Sequence, residues 1–313
     1  MIFALVVICP TAALAQVPPR FYWKSLAGTN AVPVIFQSLS GNANPIDPAH
    51  VVPTDGNFEA NVVVAGYAKM LPVFGRTLTF AILEPMGRIS GEASLAGLTY
   101  DQDASGFGDP MIEVGINVVG PGALRNIPDL LRYEPKLSVD LIADIAFPIG
   151  EYESFQILNI GQNRWYGRIG APIVWQLGPW VPGRRTTLEL LPSVWFFGDN
   201  DEYVGHRLST DPLFQVEAHL TRDLTEGLWG SFDTTFMGGG ASSIDGIAGA
   251  SLDNWGIGFT LGYQVTDNLG LTAGYMATVG DDGPGDLRMD GFRISLTFGW
   301  HRIVEGQKRL KSE

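Results

Sequence analysis

This sequence predicts an all-β fold, an antiparallel transmembrane β-barrel of about twelve strands, or ten on the shorter count, and three observations carry the prediction. Apolar residues recur at every second position: Phe292, Ile294, Leu296, Phe298 and Trp300 alternate with Arg293, Ser295, Thr297, Gly299 and His301. Leu252 to Val265 divides in the same way, with Trp255, Ile257, Phe259, Leu261, Tyr263 and Val265 on one face and Asn254, Gly256, Gly258, Thr260, Gly262 and Gln264 on the other. Successive side chains of a strand point to opposite faces, so such runs present one face to lipid and one to an aqueous lumen, at roughly 9–11 residues per crossing. Composition is the third observation. The chain is 45% hydrophobic but 17% charged, with no apolar stretch long enough for a helical span; 39 glycines and an 11% aromatic share suit strands, turns and interfacial girdles.

At the amino terminus, Met1 to Ala15 has an apolar core, Ile2 to Ile8, and ends in Ala13-Leu14-Ala15 before Gln16. That small-x-small ending predicts a signal peptide over 1–15, removed on export. Cys9 is the single cysteine and lies inside it, so the exported chain would hold no disulfide. Residues 16–57, rich in Pro, Asn, Gly and Ser, read as a periplasmic or lumen-entering segment with Ala31 to Leu39 as its strand-like stretch. The barrel is expected over 58–300 and a basic tail, with Lys308, Arg309 and Lys311, over 301–313.

Twelve strand candidates follow within the barrel: Phe58–Leu71, Arg76–Leu83, Ile89–Leu98, Asp109–Val119, Leu137–Pro148, Arg164–Leu177, Thr186–Phe197, Leu213–Leu224, Leu228–Met237, Leu252–Val265, Leu269–Val279 and Gly291–Trp300. Even counts are the rule for bacterial barrels, and the count falls to ten if Ile89–Leu98 or Arg76–Leu83 fails. Short turns at Thr225-Glu226-Gly227 and Thr266-Asp267-Asn268 alternate with longer connections at 198–211, 238–251 and 280–290. Short turns face the periplasm, which orients the barrel.

Alternation assigns the polar face. It gives an acidic, polar lumen with Glu59, Glu113, Asp140, Asp144, Glu189, Glu217 and Asp233 against Lys69, Arg168 and Arg293. Glu113, Asp140, Asp144, Arg168, Glu189, Glu217, His219 and Arg293 are the pore-lining candidates. Trp165, Trp175, Trp229, Trp255 and Trp300 fall near strand ends, where a girdle buries an indole ring and keeps its N–H wet. Trp195, on the lumen face, invites a ligand-stacking role.

Paired carboxylates admit a glycosidase reading, and His219 with Ser231 a hydrolase reading, but a barrel demands lumen-facing polar residues in any case. No serine elbow and no zinc spacing occurs, so neither an enzyme nor a cofactor nor a metal site is expected. The acids Asp199, Asp201 and Glu202, with Asp281, Asp282 and Asp286, lack the spacing of a calcium loop and read as solvated loop charge. A formal net charge of −13 argues against nucleic acid as a partner. Outer-membrane lipids and small organic solutes are the partners expected.

Short motifs occur in order along the chain: Ser40-Gly41-Asn42-Ala43-Asn44-Pro45, Ser90-Gly91-Glu92, Gly106-Phe107-Gly108-Asp109-Pro110, Asn159-Ile160-Gly161-Gln162-Asn163-Arg164-Trp165, Leu177-Gly178-Pro179-Trp180, Trp195-Phe196-Phe197-Gly198-Asp199-Asn200-Asp201 and Asp211-Pro212-Leu213. With these the chain resembles the outer-membrane transporter family named for the meta-pathway of phenol degradation. The resemblance implies a bacterial outer-membrane barrel passing small, often aromatic or hydrophobic, compounds. A closed structural or surface-interaction barrel is the alternative. On its residues alone, Gly106 to Pro110 reads as a turn at the start of a strand, with Asp109 bonding its own turn.

Overall fold

The computed structural model describes residues 17–95, 98–279 and 286–304. The expected signal peptide with Cys9, the pair Asp281 and Asp282, and residues 305–313 of the tail lie outside the described residues.

In chain order the elements are β1 (Asn30–Gly41), β2 (Thr54–Val73), β3 (Arg76–Leu95), β4 (Leu98–Phe107), β5 (Met111–Val119), α1 (Ile127–Leu131), β6 (Leu137–Ala146), β7 (Tyr166–Gly170), β8 (Ile173–Gln176), β9 (Thr186–Phe197), β10 (Asn200–Tyr203), β11 (His206–Thr210), β12 (Leu213–Asp223), β13 (Leu228–Gly239), β14 (Ser242–Ile244), β15 (Ile247–Ala248), β16 (Leu252–Thr266), β17 (Leu269–Val279) and β18 (Met289–Trp300). Each barrel strand pairs antiparallel with its neighbour in sequence, and the first and last strands close the ring. The closing β1–β18 ladder runs from Asn30↔Trp300 to Gly41↔Met289, and across the β10–β11 excursion the wall continues in the β9–β12 ladder from Thr186↔Arg222 to Trp195↔Leu213. With β7 and β8 forming one interrupted strand and β4 standing off the wall, the described residues make a closed barrel of twelve strands. Closure leaves no unpaired edge in hydrocarbon.

Twelve was the expected count, but two members differ. β1 is a wall strand, so the segment 16–57 supplies part of the barrel rather than only a plug or periplasmic arm. The strand-like stretch Ala31 to Leu39 does not show itself as a wall strand in the sequence, because Ile35 and Leu39 face inward while Val34 and Phe36 face outward, leaving both faces apolar. Conversely, Ile89–Leu98 is no separate wall strand. β3 is a single 20-residue strand whose first part pairs with β5 and whose second part pairs with β4 to form an arm beyond the wall. Arg164–Leu177 is broken at Ala171-Pro172, opposite Pro192; neither proline has an N–H for the ladder.

In β6, β12 and β16 burial alternates residue by residue, with Leu141, Ile145, Phe214, Leu220, Ile257 and Phe259 exposed outside. In β2 the faces are reversed from expectation. Phe58, Ala60 and Val62 are buried and Glu59 is exposed. The reason is height: this end of β2 rises with the β3–β4 arm, and its apolar row packs on Ile157, Leu158 and Ile160 of the connection 147–165. Lys69, also expected inside, shares the outward row with Tyr67.

The described parts of the long connections fold together as a cap over the barrel mouth opposite the short turns. A small sheet, β10-β11-β14-β15, stands among them. Arg164 donates to both carboxylate oxygens of Asp47 at 3.1 and 3.0 Å and to Thr210 at 2.8 Å, all buried. Asp109 accepts from the Gly150 and Gln162 amides at 2.9 and 2.8 Å. It therefore ties down the 147–165 connection instead of bonding its own turn. Backbones meet closely here: a Cβ on Gly150 would lie 2.4 Å from the Gly108 carbonyl carbon, and one on Gly161 2.7 Å from that of Gly150. Only glycine permits that approach.

Candidate functional site: the barrel interior

Inward-pointing side chains divide the interior into an apolar wall and a charged wall. Ile35 of β1, Val62 and Val64 of β2, Leu83 of β3 and Met111 of β5 line one side of an internal cavity of about 200 Å³. Glu113, Tyr166, Arg168, Trp195 and Arg293 line the rest, with Val17, Pro18 and Phe21 of the amino-terminal segment closing it. The expectation of a polar, acidic lumen is thus corrected on this side. Where β1–β3 cross, both faces are apolar, and alternation alone does not reveal that.

On the charged wall the carboxylates are paired. Arg168 Nε donates to Asp144 at 2.6 Å and Nη1 to Glu217 at 3.4 Å, with Glu113 at 3.9 Å. His219 Nδ1 lies 2.8 Å from Asp233, which also accepts from Ser231 and Thr260 at 2.5 Å each. Ser231 is therefore turned to Asp233 rather than to His219, which removes the nucleophile–base contact a hydrolase needs. Trp195 donates to Gln215 at 2.7 Å, and the Arg168 guanidinium lies 5.0 Å from its ring. Arg293 projects into the cavity in the field of Asp233 and Glu217.

Residues 17–28 enter this interior and take up much of its remaining charge. Glu217 accepts from the Val17 amide at 2.7 Å, and Glu189 accepts from the Arg20 amide at 2.7 Å and the Trp23 indole at 2.8 Å. Arg20 pairs with Asp223 at 2.8 Å and stacks between Trp23 and Trp229, 4.2 and 4.4 Å from their centroids. Lys24 pairs with Asp140, both side chains buried. At the end of the barrel with the short turns, Leu26 joins Leu124 and Tyr133 in a small core beside α1. Sequence reasoning allowed a lumen-entering segment but not its partners, because these hydrogen-bonded pairs are 116 to 203 residues apart.

All eight lining candidates therefore sit inside the barrel, most in ion pairs with each other or with residues 17–28. Trp165, Trp175 and Trp255 are exposed on the outer surface, and Trp300 is half-buried beside Phe298 and Tyr67. Trp229 is a correction. It shares the inward row with Ser231 and Asp233, and its ring lies flat on Gly262, where a Cβ would sit 2.0 Å from the indole. Parity with Phe232 was the available signal.

Among the loop acids, Asp199 accepts from Ser209 at 2.5 Å and pairs with Arg207, which also reaches Asp201 at 3.4 Å. The Ser209 hydroxyl and the Arg207 guanidinium hold the Asp199 carboxyl below the usual range. His50, in the cap, is the opposite case: burial pushes its imidazole down to about 4.

A sequence profile for the family described as "Putative MetA-pathway of phenol degradation" matches residues 40–298. The chain belongs to this family. An outer membrane channel from Pseudomonas putida F1 superposes with a TM-score of 0.70 at 19% identity, covering 91% of this chain and 99% of that one, which shows the shared fold. The transport unit of an autotransporter from Escherichia coli gives 0.47 at 11% identity over 91% and 93% of the two chains. The translocator domain of an autotransporter from Neisseria meningitidis gives 0.46 at 10% over 88% and 89%. No curated protein sequence matches the chain. Much of the family's motif set sits in the cap: Asn44 donates to the Asn159 carbonyl, Asn163 to Asn200, and Asn200 to Tyr152 and the Gln162 carbonyl.

Proposed function

We propose that this protein is a bacterial outer-membrane channel for passive passage of small apolar, often aromatic, organic compounds, exported with cleavage of residues 1–15. The observation that carries the reading is the cavity of about 200 Å³ with Ile35, Val62, Val64, Leu83 and Met111 along one wall. A hydrophilic sieve has no use for such a wall, whereas a dry apolar pocket of roughly 150 Å³ already accepts benzene. Selectivity would come from the width left by residues 17–28 and from the lining side chains Glu113, Arg168, Trp195 and Arg293.

A second reading, a closed structural barrel, is favoured by the seated amino-terminal segment and the folded cap. Uptake of radiolabelled toluene and glucose, in cells with and without the protein, separates the two. The channel reading expects faster toluene entry and unchanged glucose entry; no change for toluene favours the closed barrel. Mass spectrometry of the outer-membrane form is expected to give a chain starting at Gln16, and an intact Met1 refutes the export reading.

A further inference from the structure

The cavity is closed at both ends by chain that is not wall. Val17, Pro18 and Phe21 seal it on one side, and Pro45, Ile46 and Pro48 of the connection between β1 and β2 roof it toward the cap. A solute arriving from the cap side must displace that roof.

The roof is built to move as one piece. Asn44 Oδ1 accepts from the Ile46 amide at 2.9 Å, Asp47 Oδ1 from the Ala49 amide at 3.0 Å, and the Asp47 carbonyl from the His50 amide at 3.0 Å, so residues 44–50 bond largely to one another. The root is fixed, because Asn42 bonds to Asp286 and Arg288 at 2.7–2.8 Å. Among the described residues, the side-chain hydrogen bonds that hold the piece to the connection 147–165 are those of Arg164 to Asp47 and of Asn44 to the Asn159 carbonyl at 3.1 Å. Lifting residues 44–50 therefore breaks few polar contacts.

Closing also carries a cost at His50. This residue is 1% exposed, and neither ring nitrogen has a hydrogen-bond partner among the described residues. A buried polar group without a partner is penalised until water reaches it. The Arg164–Asp47 latch thus works against an imidazole that regains hydration when the piece lifts, and the gap between closed and open states narrows.

We propose that residues 44–50 form a lid over the cavity, swinging on the Asn42 root when Arg164 releases Asp47, so that solutes enter from the cap side rather than through the barrel wall. The inference rests on the reading of the cavity as a solute site. Because it closes over the free and the loaded cavity alike, the lid sets how fast a solute enters and leaves, not how tightly it is held.

The test is the kinetics of toluene exchange with the full-length protein in lipid nanodiscs, read by stopped-flow tryptophan fluorescence. Arg164→Ala leaves a buried Asp47 carboxylate that opening relieves, so association and dissociation should both accelerate on the order of 10²-fold with Kd unchanged. His50→Leu removes the unbonded imidazole and should slow both by about fivefold or more. Pro48→Cys places a thiol on the roof of a chain whose single cysteine, Cys9, falls in the expected signal peptide. A membrane-impermeant maleimide should label it roughly tenfold or more faster when Arg164→Ala is added. Heat-modifiable gel migration verifies that each variant is folded. Unchanged toluene rates in folded Arg164→Ala, or no gain in labelling at position 48, overturns the lid and leaves the channel reading standing. Absence of toluene binding to the wild type instead overturns the reading of the cavity itself.

Discussion

Replacing Lys24 by Met is the sharpest perturbation of the segment that fills the barrel. Lys24 and Asp140 are both buried, with side-chain exposures of 6% and 8%. Without the ammonium, Asp140 retains only the Asn117 amide at 2.7 Å as a side-chain donor among the described residues. Removing one partner of such a pair costs about 2–5 kcal/mol, most of it the penalty of the carboxylate left behind. That penalty falls on the seated state alone, because water reaches Asp140 once residues 17–28 withdraw. A cost near the middle of the range raises the ratio of withdrawn to seated segment on the order of 10²-fold. Arg20→Met is expected to do less, since Asp223 keeps Arg185 at 2.7 Å and the Gly183 amide at 3.0 Å. Planar-bilayer recording is the assay, with the time spent in the larger conductance state as the readout. The double variant Lys24→Met/Asp140→Asn should return most of the way to wild type. A Lys24→Met trace identical to wild type, or a double variant no better than the single, refutes the idea that this pair holds the segment in place.

Three further outcomes are expected. Phe259→Arg places a cation on the lipid face and should cost roughly 2–4 kcal/mol if the position lies near the midplane, measured by urea titration of folding into vesicles; a cost below about 1 kcal/mol would mean that Phe259 lies near an interface or is shielded from lipid. Arg164→Ala leaves Asp47 buried without its guanidinium and should loosen the cap by about 3–5 kcal/mol, seen as faster protease cutting within residues 42–53 and 147–165 while the strands stay intact. Because burial lowers the His50 pKa from its ordinary 6.5 to about 4, the unfolded chain binds the proton first on acidification. The stability this adds is full above pH 6.5 and is lost as pH falls through about 4, a change of about 3 kcal/mol. Thermal unfolding of wild type and His50→Phe across that range should show the slope only in wild type.

Legibility in the sequence followed the environment on the two sides of each strand. β12, β13 and β16 separate lipid from a charged interior, so their alternation is strong and their inward residues Glu217, His219, Asp233 and Asn254 could be read directly. β1 and β2 separate lipid or water from an apolar cavity or cap, so alternation marks Ala31 to Leu39 as strand-like without placing it in the wall, and it inverts the faces of β2. Residue type puts Trp229 in the girdle, whereas its parity with Ser231 and Asp233 puts it inside. The ordered motifs around Asn44, Asp109 and Asn159 gave the family, but not their common task of holding the cap, which is visible only when the connections meet in space.

The sequence by itself determined that this chain closes into a membrane-type barrel, because period-two alternation is a local property that a strand imposes on its own side chains. It also determined which charges on the clearest strands point inward. Only the tertiary structure decided what those charges face. Glu189, Glu217 and Asp140 meet residues 17–24 across separations of 116 to 200 residues, and no local rule couples positions so far apart. The same holds for the cavity: its apolar wall comes from β1–β3 and its Glu113 from β5, brought together by the curvature of the closed sheet.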